Sequence, residues 1–169
     1  MNLIMKELHI LMINIYTDGA HSSATDCGGW AIIITNAQDE PIAKASNYEM
    51  HTTNNRMELT AVLNALRCAI TNYITEQINI HTDSAYIANA FKDKWYIKWR
   101  NNGWRTANKT PVLNQDLWEQ IIPIVENSNG RITIHKISGH NGNKWNEYAD
   151  TLAVAAREEG AKSYVNKTT

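Results

Sequence analysis

The 169-residue sequence has no excess of charge of either sign: 16 Lys and Arg stand against 17 Asp and Glu, for a net charge of −1. Domains that bind nucleic acid ordinarily carry a basic footprint, so the total taken alone points away from that class. Cysteine is scarce. Cys27 and Cys68 have neither the spacing of a metal knuckle nor that of a redox pair. This excludes a disulfide framework and suits a reducing compartment. Cys68, inside a helical pattern, is expected to be a buried structural thiol. No apolar run reaches the length of a membrane span. The N-terminal MNLIMKELHILMINIY is interrupted by Lys6, Glu7 and His9, and no small-residue cleavage site follows, which argues against a signal peptide. A cytoplasmic protein with no membrane association is therefore expected. Internal repeats, linkers and low-complexity stretches are also missing. What is present, 43% hydrophobic and 20% charged residues, is the composition of one globular domain whose core needs no disulfide or structural metal.

Met1, Met5 and Met12 all precede the first motif, so residues 1–9 are set apart as an extension of uncertain start. Residues 10–17 read as a buried strand ended by the turn signal Asp18-Gly19, with a small, polar loop at 20–27. Residues 28–35 and 42–50 read as two more strands, close enough to form an antiparallel meander. Leu59, Leu63, Leu66 and Ile70 form one apolar stripe of a helix. A short strand follows at 77–82 and a helix at 84–91. Residues 114–126 are helical in pattern, but Pro123 is expected to kink or end that helix. A strand at 131–137 and a helix at 144–159 complete the order, with Gly160 as the expected C-terminal cap and 161–169 as a frayed tail. Strands separated by helices imply parallel neighbours. The expected class is therefore α/β, a five-stranded mixed sheet with a three-strand antiparallel meander plus parallel strands, flanked by helices.

Asp18 follows the first strand in YTDG, and Asp83 follows the fourth in HTDS. If those strands are parallel neighbours, both carboxylates emerge at the same sheet end, where open α/β sheets gather their ligands. Two carboxylates that close repel each other unless protons or cations intervene. Oxygen donors without a Cys or His cluster favour Mg²⁺ or Mn²⁺ over Zn²⁺. Either Asp alone has an ordinary alternative, since Asp83 or Ser84 can cap the next helix. Glu58 lies in the first turns of the 59–70 helix, where an acid also complements the helix dipole. Asp150 flanks the stripe Ala149, Leu152, Ala153 and Ala156. Residues 92–109 carry six bases (Lys92, Lys94, Lys98, Arg100, Arg105, Lys109) and one acid, Asp93, interleaved with Trp95, Tyr96, Trp99 and Trp104. Their net +5 leaves −6 for the rest of the chain, so the neutral total conceals a basic protrusion beside an acidic centre. A basic, aromatic-rich protrusion suits a surface that tracks a nucleic-acid backbone, although Trp99 and Trp104 also have core packing as an explanation.

The segments YTDGA at 16–20, TTNNRMEL at 52–59, TDSAY at 82–86, KWRNNGWRTANKTPVLNQDLW at 98–118 and GHNGNKWNEYAD at 139–150 resemble the type 1 ribonuclease H family, in the family's order and over nearly the whole chain from about residue 12 to 158. The resemblance implies a ribonuclease H-like fold over residues 10–160, with 92–110 as a basic protrusion. It also implies an endonuclease that hydrolyses the RNA strand of RNA–DNA hybrids and leaves 5′-phosphate and 3′-hydroxyl ends. Asp18, Glu58, Asp83 and Asp150 match the family's carboxylates, which bind two Mg²⁺ ions, with Mn²⁺ as the expected substitute. His140, between Gly139 and Gly142 in a loop expected to be mobile, matches an auxiliary proton carrier or product-release group. His81 is read as structural. Asn54 and Asn55 match minor-groove contacts, with helix capping as their ordinary reading. Thr53 and Asn114 match a phosphate pocket for the DNA strand, and Trp95 and Trp99 match the DNA-strand channel.

The chain departs from the family pattern in four places. His51 stands where an Arg often precedes the pocket Thr. Ala85 stands where a longer residue, often Gln, follows the Asp-Ser pair. The 21–27 loop lacks the usual Pro and Gly run. Asn101 and Asn102 thin the protrusion, so weaker hybrid binding with a shallower salt dependence is expected. A monomer with no obligate protein partner is expected. The alternative reading is a non-catalytic hybrid-binding module of the same fold.

Overall fold

The computed structural model describes residues 11–139 and 142–168. The expected extension at 1–9, and His140, lie outside the described residues. The elements follow the expected order: β1 (Met12–Ser22), β2 (Cys27–Thr35), β3 (Pro41–Met50), α1 (Asn54–Asn72), β4 (Gln77–Thr82), α2 (Ala85–Lys92), α3 (Trp95–Asn101), α4 (Gln115–Asn127), β5 (Ile132–Lys136) and α5 (Lys144–Thr168). The sheet order is β3-β2-β1-β4-β5. β1 pairs antiparallel with β2, and β2 with β3, while β1–β4 and β4–β5 are parallel. This is the mixed sheet expected from the alternation of strands and helices.

Side chains alternate across the sheet. Ile13, Ile15, Ile32, Ile34, Ile78, Ile80 and Ile132 face one way, into the main core with Leu59, Val62, Leu66, Trp118, Ile121 and Ile122 from α1 and α4. Tyr16, Ile33 and Ala31 face the other way, onto Ala149 and Ala153 of α5. α5 covers β1, β2 and β3. On that same side, β4 and β5 present a polar ladder: Asn79 Nδ2 and His81 Nε2 donate to Asn14 Oδ1 at 3.2 and 3.0 Å, and Thr133 Oγ1 donates to Asn79 Oδ1 at 3.0 Å. His81 is stacked on Tyr16 with ring centroids 4.6 Å apart. Burial, and secondarily the neighbouring His135, push its imidazole down to about 4. It is a neutral, structural histidine, as read from the sequence.

Several local expectations are corrected. β1 does not end at Asp18-Gly19 but runs to Ser22, and the loop shrinks to 23–26. Gly19 is there for closeness rather than for a turn: a Cβ on it would lie 2.4 Å from the Glu58 backbone N. Ile70 leaves the stripe and is 42% exposed, with Ala69 taking the buried place. Cys68 is only half-buried, against the edge of the core. Pro123 does not end α4, which runs on to Asn127. Gly160 does not cap α5, which continues through it to Thr168, so the expected frayed tail at 161–169 is helical as far as it is described. Gly160 instead lets α5 press on β3, where an added Cβ would sit 2.4 Å from the Tyr48 ring.

Candidate active site

The β1–β4 register pairs Tyr16 with His81 and Thr17 with Thr82, so the following residues, Asp18 and Asp83, emerge side by side. Ser84, not Asp83, caps α2, accepting from the Ile87 N–H at 3.4 Å, which leaves the Asp83 carboxylate uncommitted. α1 crosses β1 at Gly19 and brings Glu58 over Asp18. Its cap is Thr53, whose side chain accepts from the Arg56 N–H, so neither Asn54 nor Asn55 caps it and both are exposed. Asp18, Glu58 and Asp83 each offer an oxygen, and these atoms all lie within 4.8 Å of one another.

The electrostatics of this cluster ask for a cation. Asp18 and Glu58 are each 5% exposed. Burial first, then the Asp83 charge, push the Asp18 carboxyl up to about 7; the Gly19 N–H, 2.7 Å from its Oδ1, opposes this in part. Glu58 is raised well above the usual carboxylate range by burial and by the charges of Asp18 and Asp83. Glu58 Oε2 is buried without a hydrogen-bond partner, a state that is costly for a carboxylate. Convergent hard oxygens, one of them unpartnered, fit a divalent cation.

Asp150 stands outside this group of three. It is half-buried on α5, and its charge contributes to the rise at Asp18. The start of α5 is held by residues that the sequence reading missed. Asp39, in the β2–β3 turn, accepts from Trp145 Nε1 and pairs with Lys144. Asn143 Oδ1 accepts from the N–H groups of Trp145 and Asn146, both at 3.1 Å. His140 lies outside the described residues; Gly139, which precedes it in sequence, lies against the cluster, where an added Cβ would sit 2.9 Å from Asp83 Oδ2.

Beside the carboxylates, and not lined by them, lies a cleft of about 590 Å³. It brings together Asn55, Trp95, Trp99 and Asn114 from the sequence reading, along with Tyr86 and Lys98. Trp99 is mostly core, 7% exposed, although it also lines the cleft. Trp95 is the more accessible ring. His51, in the place of the expected Arg, is turned aside: its Nδ1 lies 2.7 Å from Asp26 Oδ2. The most connected residue here went unremarked in the sequence. Arg56, inside TTNNRMEL, reaches Glu49, Asn114 and Asp116 at once.

A β3-β2-β1-β4-β5 sheet with an acidic centre where β1 and β4 run side by side defines the ribonuclease H-like class. A ribonuclease H family model matches residues 12–158. The chain is 43% identical over 141 residues to the ribonuclease H of Syntrophomonas wolfei, covering 83% of this chain and 92% of that relative. It is 39% identical over 146 residues to that of Thermoanaerobacter sp. strain X514, covering 86% and 90%. Among solved structures it is similar to LC9-RNase H1, a type 1 RNase H with the type 2 active-site motif, with a TM-score of 0.72, 26% identity and coverage of 88% and 72%. It also shares the fold of LC11-RNase H1, solved in complex with RNA/DNA hybrid, with a TM-score of 0.67, 21% identity and coverage of 88% and 98%. The chain belongs to the ribonuclease H family and is a ribonuclease H enzyme. No helix among the described residues is long and apolar enough to cross a membrane.

Proposed function

We propose that this enzyme is an endonuclease that cuts the RNA strand of RNA–DNA hybrids by a two-metal mechanism, leaving 5′-phosphate and 3′-hydroxyl ends. The observation that carries the reading is the convergence of Asp18, Glu58 and Asp83, each from its own element and within its own motif. Asp18, Glu58, Asp83 and Asp150 would hold two Mg²⁺ ions, or Mn²⁺ in their place, which would supply the charge needed to activate an attacking water and to stabilise the leaving oxygen of an in-line displacement. The buried pair Asp18 and Glu58 keeps the centre rigid, and the Gly19 N–H fixes the Asp18 carboxylate. His140, which follows Gly139 in sequence, carries protons or assists product release as an auxiliary group.

Substrate binding is assigned to the surface beside the centre. Asn54 and Asn55, exposed at the start of α1, face the minor groove and its 2′-hydroxyls. Thr53 and Asn114 take a phosphate of the DNA strand. Trp95, with Trp99 and with Lys98, lines the path of that strand along the protrusion. Residues 10–160 form the catalytic domain, acting as a cytoplasmic monomer. A binding module without turnover would be favoured by a missing carboxylate, and all four are present.

The test is cleavage of a hybrid labelled on its RNA strand, in Mg²⁺, beside duplex DNA and duplex RNA. The hybrid alone is expected to be cut, and Asp83→Asn is expected to slow cutting by about a thousandfold or more while hybrid binding persists. A hybrid left intact by folded protein overturns the reading. Cut RNA with 3′-phosphate ends overturns the two-metal assignment.

A further inference from the structure

Arg56 joins the start of α1 to the start of α4. Its backbone N–H donates to Thr53 Oγ1 at 3.2 Å. Its Nε donates to Glu49 Oε1 at 3.2 Å. Its Nη1 and Nη2 form a fork on Asp116, 3.0 Å from Oδ1 and 2.8 Å from Oδ2. Nη1 also donates to Asn114 Oδ1 at 3.4 Å. A guanidinium has only donors, so the amide of Asn114 must turn its oxygen inward to Arg56 and its NH₂ outward. Nothing in α4 competes for that amide: Asn114 has φ 57 and ψ 34 and makes no side-chain capping bond to the helix it precedes. Thr53 is set independently of the guanidinium: its oxygen accepts from the Arg56 backbone N–H, which leaves its O–H free to donate. Arg56 itself is not available as a cation for an anion, because Glu49 and Asp116 already balance its charge.

We propose that Arg56 is a positioning residue for hybrid binding, which orients the Asn114 NH₂ as a neutral donor toward the backbone phosphate that the Thr53 hydroxyl also contacts. This rests on the reading of Thr53 and Asn114 as a phosphate contact. The arrangement fits the turned-aside His51: the pocket works by aimed neutral donors rather than by a cation. Arg56 touches no phosphate and acts through Asn114.

The test is the dissociation constant for a fluorescent RNA–DNA hybrid, measured by anisotropy without divalent metal, for wild type, Arg56→Lys, Asn114→Ala and the double variant, with melting curves to establish folding. Lys keeps the charge but loses the fork that reaches Asp116 and Asn114 together. Asn114→Ala is expected to weaken binding about tenfold, the scale of one hydrogen bond to a charged group. Arg56→Lys is expected to lose nearly as much, and the double variant to bind no more weakly than Asn114→Ala. Losses that multiply in the double variant, or an Arg56→Lys variant that binds as wild type while Asn114→Ala does not, overturn the positioning role. Asn114→Ala binding as wild type instead overturns the phosphate reading beneath it. Should Arg56→Lys melt early, Asp116→Asn removes one arm of the fork with Arg56 in place, and the same cycle with Asn114→Ala applies.

Discussion

Asp18 sits in β1 with Glu58 above it and Asp83 beside it, and without a cation it is held up to about 7. An unfolded Asp ionises near 4. Between those values the folded chain keeps a proton that the unfolded chain has lost. Metal-free stability from this group is therefore full below about pH 4 and falls as pH rises through about 7, by on the order of 4 kcal/mol. Asp18→Asn removes the dependence. Thermal melts in EDTA should show the variant melting above wild type at pH 8, with the gap shrinking at pH 5. Mg²⁺ should narrow the pH 8 gap by stabilising wild type alone. A gap that is the same at both pH values, with or without metal, would show that the Asp18 carboxyl is not strained by its neighbours. The three carboxylates that converge, Asp18, Glu58 and Asp83, were legible in the sequence because each sits in its own motif. Arg56 was not, because its role depends on where Asn114 and Asp116 meet it across the fold.

At the scale of elements, strands and helices were legible from alternation and stripe, but their ends were not. Gly19 and Gly160 both read as punctuation, since local sequence does not record what passes within van der Waals range of a missing Cβ. Ile70 read as core by spacing alone, although Ala69 is the residue that the sheet covers. Gly160 offers a direct check. Ala is the better helix former by about 1 kcal/mol, so local propensity predicts that Gly160→Ala stabilises α5. The Tyr48 ring predicts the opposite, a loss of about 1–3 kcal/mol from overpacking. Urea unfolding should show the loss in wild-type background and a gain once Tyr48→Gly, which also removes the Tyr48 Cβ 2.8 Å away, opens the space. Stabilisation in both backgrounds would mean that α5 does not press on β3 there.

At the scale of the whole molecule, a near-neutral chain separates an acidic centre from a basic protrusion. Part of that protrusion is already committed: Arg100 is paired with Glu126 at 2.9 Å, and Arg105 Nη1 donates to the Lys109 carbonyl at 2.8 Å. Leu113, 74% exposed on the rim of the cleft beside Asn114, adds no charge. Leu113→Lys is expected to tighten hybrid binding and to steepen the salt slope by about one, read from anisotropy titrations between low and physiological salt. An unchanged slope would place Leu113 off the path of the strand. The parallel β1–β4 pairing also sets an order in time. Thr17 and His81 meet across 64 residues of chain, so the metal centre cannot exist until that long loop has closed, and such closure is slow relative to helix formation. Asp150 arrives later still, on the helix that covers β1 to β3. The acidic centre is thus a product of folding: a chain emerging in order holds Asp18, Glu58 and Asp83 together only once β4 has been made and paired with β1.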